Sequence, residues 1–223
     1  MSTTLVTGAN RGIGLEFCRQ LKSRGDEVIA VCRSSSPDLD QLDIEVIEDV
    51  DVADPESVAQ LASRLTGRRI DILINNAGVL RRDSLGTLAS ESVSDIVDQF
   101  RTNSLGPILV TEALMPNLQK GSKVGIVTSR MGSVTDNTSG GYYGYRMSKA
   151  AVNIAGVSLA RDLADRGIAV ALLHPGYVRT DMTGQEGFID PDEAARGLIQ
   201  RLDELSMTSS GGFWHSNGEA LPW

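Results

Sequence analysis

The stretch Thr3-Thr4-Leu5-Val6-Thr7-Gly8-Ala9-Asn10-Arg11-Gly12-Ile13-Gly14 decides how the rest of the chain is read. A short β-rich run meets three glycines, after which Leu15, Phe17, Cys18 and Leu21 recur at helical spacing. A glycine-rich bend between a strand and a helix lets backbone N–H groups reach a phosphate, and it sets that phosphate at the positive end of the helix. Glycine serves the tight turn, the close approach of a ligand and the packing of helix on sheet. The spacing is G-x3-G-x-G, which is neither G-x-G-x-x-G nor the G-x4-G-K-[ST] of a P-loop. No Lys follows Gly14, so nucleoside triphosphate hydrolysis is not expected. Taken alone, the turn separates a dinucleotide site from an ordinary strand-to-helix corner only modestly.

Outward from this turn the chain alternates strand and helix with short connections. Glu27–Val31 reads as a second strand, followed by a Ser/Pro/Asp loop through Asp43, and Ile44–Ile47 as a third. Asp54-Pro55 opens a helix with a capping carboxylate and a proline at the first position. Ile70–Ile74 is an apolar run that ends in Asn75-Asn76-Ala77-Gly78. A long helical stretch is expected over 91–118, interrupted or bent near Gly106-Pro107. Val124–Thr128 is the fifth strand, Tyr145–Leu163 a helix and Ile168–Leu173 the sixth strand. A helix starts at Pro191, and Gly211–Trp214 forms a last strand. Buried, unalternating strands in repeated βα units predict one α/β domain over 1–223, a Rossmann-type doubly wound parallel sheet of about seven strands.

Composition narrows the partners. The formal net charge is −8 and 41% of residues are apolar, with no basic cluster beyond Arg68-Arg69 and Arg81-Arg82. Nucleic acid and anionic membrane surfaces are therefore not expected partners. No run approaches the length of a membrane span, and Met1-Ser2-Thr3 leads into the first strand without a signal peptide. Cys18 and Cys32 are the two cysteines, with no metal-ligand spacing, and His174 and His215 the two histidines. A cytoplasmic protein without a metal site is the expectation.

Thr7-Gly8-x3-Gly12-Ile13-Gly14, Asn75-Asn76-Ala77-Gly78, Ser129, Tyr145-x3-Lys149 and Pro175-Gly176, in this order along the whole chain, resemble the short-chain dehydrogenase/reductase family. The tail around Phe213-Trp214 and Leu221-Pro222-Trp223, with the run Ser139-Gly140-Gly141-Tyr142-Tyr143-Gly144-Tyr145, is similar to its C-factor-like and sniffer-like carbonyl reductase branch. The resemblance implies a nicotinamide cofactor and hydride transfer to or from a carbonyl/alcohol pair. It also implies pairing of subunits, as a homodimer or homotetramer, for which Val152, Ala155, Leu159 and Ala160 offer small or apolar surface. A C-factor-like signalling protein that binds the cofactor with little turnover is the alternative.

The residues carry the chemistry in detail. Tyr145 and Lys149 are four apart, so on a helix they share one face. A nearby ammonium favours the phenolate and brings a weak acid toward a useful pKa, which makes Tyr145 the general acid/base. Ser129 ends a strand where open α/β sheets place their sites, and its hydroxyl suits a developing oxyanion; Thr128 and Ser133 compete for the role. Alignment to the family pattern favours Ser129 with Gly132, with 136–141 as an insertion before Tyr145. By resemblance, Asn103 supports a water that links Lys149 to solvent, completing a relay from Tyr145.

The remaining assignments concern the dinucleotide. The turn residues Gly8, Asn10, Arg11, Gly12, Ile13 and Gly14 hold it, by resemblance Asp51-Val52 meets the adenine, and Asn76, Ala77 and Gly78 form a corner beside the ribose. Pro175, Gly176, Val178 and Thr180 curve over the nicotinamide, with Tyr145 and Lys149 beside it. The second strand ends in Cys32-Arg33-Ser34, where an NAD-preferring fold would carry an acid about 20 residues beyond the turn. Arg11, Arg33 and Ser34 therefore predict an adenosine 2′-phosphate and NADP(H) as cofactor. The alternative is that Asp38 or Asp40 folds back to the ribose. The short, glycine-bearing segment 181–190 is a candidate substrate lid. Nothing in it recognises a phosphate, a sugar or an acyl carrier; a small-molecule carbonyl or alcohol substrate is expected, and the sequence does not name which.

Overall fold

Leu5 and Val6 are neighbours on the first strand and both are fully buried, which a strand permits only when its sheet is covered on both faces. The computed structural model describes residues 2–86 and 88–223; Met1, where the leader reading begins, lies outside them. The elements run β1 (Thr3–Thr7), α1 (Gly12–Ser23), β2 (Glu27–Val31), α2 (Pro37–Asp40), β3 (Glu45–Ile47), α3 (Pro55–Arg64) and β4 (Ile70–Asn75). There follow α4 (Ser90–Phe100), a π turn (Arg101–Leu105), α5 (Gly106–Ala113) and β5 (Leu118–Val127). The chain closes with α6 (Tyr143–Asp162), β6 (Ala169–His174), α7 (Pro191–Glu204) and β7 (Gly212–His215).

The seven strands form one sheet in the order β3-β2-β1-β4-β5-β6-β7, and every pair is parallel. This is the doubly wound Rossmann arrangement that the alternation predicts. Leu5, Ile29 and Val124 pack with Val58, Val110 and Val152 on one face; Val6, Val28 and Ala30 pack with Phe17, Leu21 and Leu198 on the other. Strand order reverses between β1 and β4, and the crevice outside the carboxyl ends at such a reversal is where this architecture binds ligands. Among the described residues, no helix is long and apolar enough to cross a membrane.

Some expectations need correction. The loop after β2 contains a short helix, α2, because the Ser36 hydroxyl accepts from Leu39 N–H and Pro37 takes the first position. The long helix is three pieces: α4 gives way to the π turn, and α5 stops at Ala113 ahead of Pro116, which disfavours helix at the residue before it. β5 starts at Leu118 rather than Val124, since Leu118 pairs with Ile70 before an irregularity that brings Lys123 opposite Ile72. Polar Gln119 and Lys120 hide that early pairing from a hydrophobic pattern. Val152 and Ala160 are buried in this subunit's own core and offer no surface to a second copy.

Candidate active site

The glycine turn closes on a very small space. Gly8 and Gly12 have φ of +65° and +54°, and a Cβ on Gly14 would lie 2.1 Å from the Gly8 carbonyl oxygen and 2.6 Å from Asn76 Nδ2. Asn76 Nδ2 donates to the carbonyls of Thr7 and Gly8 at 3.0 and 3.1 Å, while Thr7 Oγ1 accepts from the N–H groups of Asn76 and Ala77. The two strand ends at the sheet reversal are thus stitched together. Helix α1 begins with no side-chain cap and no acid in its first turn, so its first N–H groups are left for a ligand.

A cavity of about 210 Å³ opens there. Gly8, Asn10, Arg11, Gly12, Ile13 and Gly14 line it, as do Arg33, Asp51, Val52, Asn76, Ala77, Gly78 and Thr180. Ser34 stands outside the lining, where its carbonyl accepts from Asn10 Nδ2 at 2.9 Å. Arg33 is exposed and has no ion-pair partner among the described residues, whereas Arg11 lies 3.7 Å from Asp181. Asp38 and Asp40 lie in α2, outside the cavity wall.

A second cavity of about 540 Å³ adjoins the first through Ile13, Thr180 and Met182, which line both. Its wall includes Ser129, Tyr145, Pro175, Gly176 and Val178. Burial pushes the Tyr145 phenol up to about 12, and a hydrogen bond with Ser129 pulls the other way. Lys149 lies beneath, its Nζ donating to the Val127 carbonyl at 2.9 Å and standing 5.7 Å from the Tyr145 ring centre. Burial lowers its pKa to about 8. Burial, opposed by the Ser129 hydrogen bond, sets the direction, and the lowering expected from the ammonium is not found. Ser129 Oγ accepts from Met131 N–H and starts a short turn that lies directly on α6: a Cβ on Gly132 would fall 2.7 Å from the Lys149 carbonyl carbon.

Asn103 sits in the π turn, and its side chain is fully engaged. Oδ1 accepts from Val79 N–H and Nδ2 donates to the Val79 carbonyl, both at 2.8 Å, and Nδ2 also reaches Ser148 Oγ at 3.0 Å. His174 is a strand-end residue packed edge-on against His215 at 4.9 Å, and burial lowers its pKa to about 3.

One contributor was not read from the sequence. The Asp83 carboxylate accepts from the N–H groups of Tyr143 and Gly144, and its carbonyl accepts from Tyr142 N–H, so it caps the helix that carries Tyr145. Tyr142 turns through a left-handed φ of +52° at this junction. Nothing local marks Asp83, because its partners lie some sixty positions away.

The sheet with its crevice at the strand-order reversal has the architecture of a dinucleotide-binding fold. A family model described as short chain dehydrogenase matches residues 2–187, and the chain belongs to that family. It is 46% identical to the 1-hydroxy-2-glutathionyl-2-methyl-3-butene dehydrogenase of Rhodococcus sp. (strain AD45) over the whole of both chains. It is 43% identical to the C-signal of Myxococcus xanthus across 69% of this chain and 93% of that one. Among solved structures it resembles the NADPH-bound carbonyl reductase from chicken fatty liver, with a TM-score of 0.90 and 30% identity over 100% of this chain and 99% of that one. The carbonyl reductase Sniffer of D. melanogaster follows at 0.89 and 28%, over the whole of both chains. The resemblance to the C-factor-like and sniffer-like branch thus holds.

Proposed function

We propose that the protein is an NADP(H)-dependent carbonyl reductase or alcohol dehydrogenase for small molecules, with Tyr145 as its acid/base. The observation that carries this reading is the buried Ser129–Tyr145–Lys149 cluster, of which Ser129 and Tyr145 line the second cavity and Lys149 packs behind them. The residues of the first cavity fit a dinucleotide: the space at Gly14 excludes any side chain, and the uncapped start of α1 suits a pyrophosphate. The bound nicotinamide supplies or accepts the hydride. Arg33, unpaired beside the cavity, favours the 2′-phosphorylated cofactor, as does the NADPH in the chicken relative.

Ser129 holds the substrate oxygen, and Tyr145, protonated at neutral pH, gives it a proton during reduction. Lys149 keeps its proton up to about pH 8 and stabilises the phenolate left behind. Asn103 supports the water that returns protons from solvent to Lys149. Its side chain fixes Val79 through both main-chain groups. Segment 181–190 acts as the lid; its neighbouring strand-like pairing of Val178 with Ile189 closes it into a loop over the cavity rim. Two copies associate through the exposed apolar stripe of Val93, Val97 and Phe100 on α4 with Met147 and Ile154 on α6.

The test is turnover of an aldehyde, ketone and alcohol panel with NADPH and NADH. NADPH is expected to be favoured about tenfold or more in kcat/KM, and Arg33→Ala to remove most of that preference. NADPH binding without turnover on the whole panel favours the signalling reading instead, which the C-signal relative supports.

A further inference from the structure

The second cavity carries more positive charge than its chemistry needs. Three arginines line it, Arg82, Arg130 and Arg146, against one carboxylate, Asp136. This contrasts with a chain of net charge −8. Arg130 is neutralised, 2.7 Å from Glu219 and 3.4 Å from Asp136. Arg146 has only neutral partners: Nε donates to the Gly141 carbonyl at 3.1 Å and Nη2 to Ser139 Oγ at 2.9 Å. Its guanidinium is therefore held in place with its charge unmatched.

Arg82 is exposed on the same wall and has no hydrogen bond or ion pair among the described residues. The adjacent acid, Asp83, is consumed by the N–H groups of α6. Glu186 does not line the cavity and accepts from the Tyr177 hydroxyl at 2.9 Å. Leu80, Met131, Tyr142, Met182 and Phe188 supply apolar wall for an organic body between this cationic rim and the Ser129–Tyr145 end. A cleft of one sign with low-dielectric walls concentrates oppositely charged ligands, and a guanidinium fork matches a carboxylate.

We propose that Arg82, with Arg146, forms a carboxylate subsite, so that the substrates of this enzyme are carbonyl or alcohol compounds bearing a carboxylate. The inference rests on the hydride-transfer reading above and names the substrate class of that site. Two sources share this chemistry: a small oxo or hydroxy acid, and a thioether conjugate of glutathione, whose peptide carries two carboxylates.

Calorimetric titration of the full chain with NADP⁺ tests it, using 4-carboxybenzaldehyde, its methyl ester and S-hexylglutathione. The acid is expected to bind about tenfold or more tightly than the ester. Arg82→Gln and 0.5 M salt should each reduce that ratio toward one. Arg82 is exposed and makes no hydrogen bond or ion pair among the described residues, so this variant should remain folded, which its melting temperature checks. Loss of S-hexylglutathione binding in the variant assigns the conjugate as source; loss confined to the aldehyde acid assigns the small acid. Equal binding of acid and ester, or a ratio unmoved by Arg82→Gln, overturns the subsite. Oxidation of NADPH by the neutral methyl ester reports on hydride transfer separately, so the two readings fail independently.

Discussion

The two adjoining cavities are built in opposite ways. The first is backbone: glycines in left-handed conformations, an uncapped helix start and a strand end tied to β1 by Thr7 and Asn76. The second is side chain, drawn from positions 80–82, 128–146 and 174–188. Gly8 and Gly14 accept almost no substitution, because an added Cβ meets the main chain of Ala77 or Gly8 at under 3 Å. A side-chain site can be re-lined while its acid/base centre stays in place. Under the proposed function, the first half would hold the dinucleotide and the second would set the substrate.

The largest effect should come from the one side chain in the second cavity that cannot be replaced. Tyr145→Phe keeps the ring and deletes the proton donor, so reduction should fall about 10²–10⁴-fold while the dinucleotide dissociation constant holds. Near-normal turnover would remove Tyr145 from its role.

Gly14→Ala probes the backbone half. Its methyl would lie 2.1 Å from the Gly8 carbonyl oxygen, so the turn must shift, at a cost of about 1–3 kcal/mol in urea unfolding and with weakened dinucleotide binding. Phe188→Ala in the other half should stay within about 0.5 kcal/mol, since that ring is 84% exposed. Equal losses in both variants would erase the distinction between the halves.

The pH profile sharpens the comparison further. Burial lowers Lys149 to about 8, so its ammonium is present at neutral pH and lost as pH rises through that value, while Tyr145 stays protonated. Reductive kcat/KM should be level near pH 7 and fall about tenfold per unit well above 8. A rise from pH 8 to 9 would point to a different titrating group.

The smallest effect tests how the second half is held. Asp83→Ala strips the acceptor from two N–H groups at the start of α6 and should lower stability by about 0.5–2 kcal/mol, read as a melting temperature. Asp83→Asn should fall between wild type and Ala. An unchanged melting temperature in Asp83→Ala would show that solvent replaces the cap without loss.

Local pattern made much of this legible. β1 and β2 occur where their apolar runs begin and end, Asp54 caps α3 with its side chain on Glu56 N–H, and Tyr145 and Lys149 share a face of α6 by spacing alone. These features depend on neighbours within a few residues, where periodicity and capping chemistry act. The start of β5 at Leu118 was not legible, since its pairing with Ile70 answers to a distant strand rather than to its own polar residues.

The sequence by itself determined the alternation of strand and helix, the glycine turn and the residue types available for proton transfer. Tertiary structure alone decided that burial, rather than the neighbouring ammonium, dominates the pKa of Tyr145. It also decided that Asn103 clamps Val79, that Asp83 caps α6, and that Arg82 and Arg146 share a cavity without a matching carboxylate. Desolvation and partner choice are set by which distant segments the parallel crossovers bring to the carboxyl edge of the sheet, and no local spacing encodes that meeting.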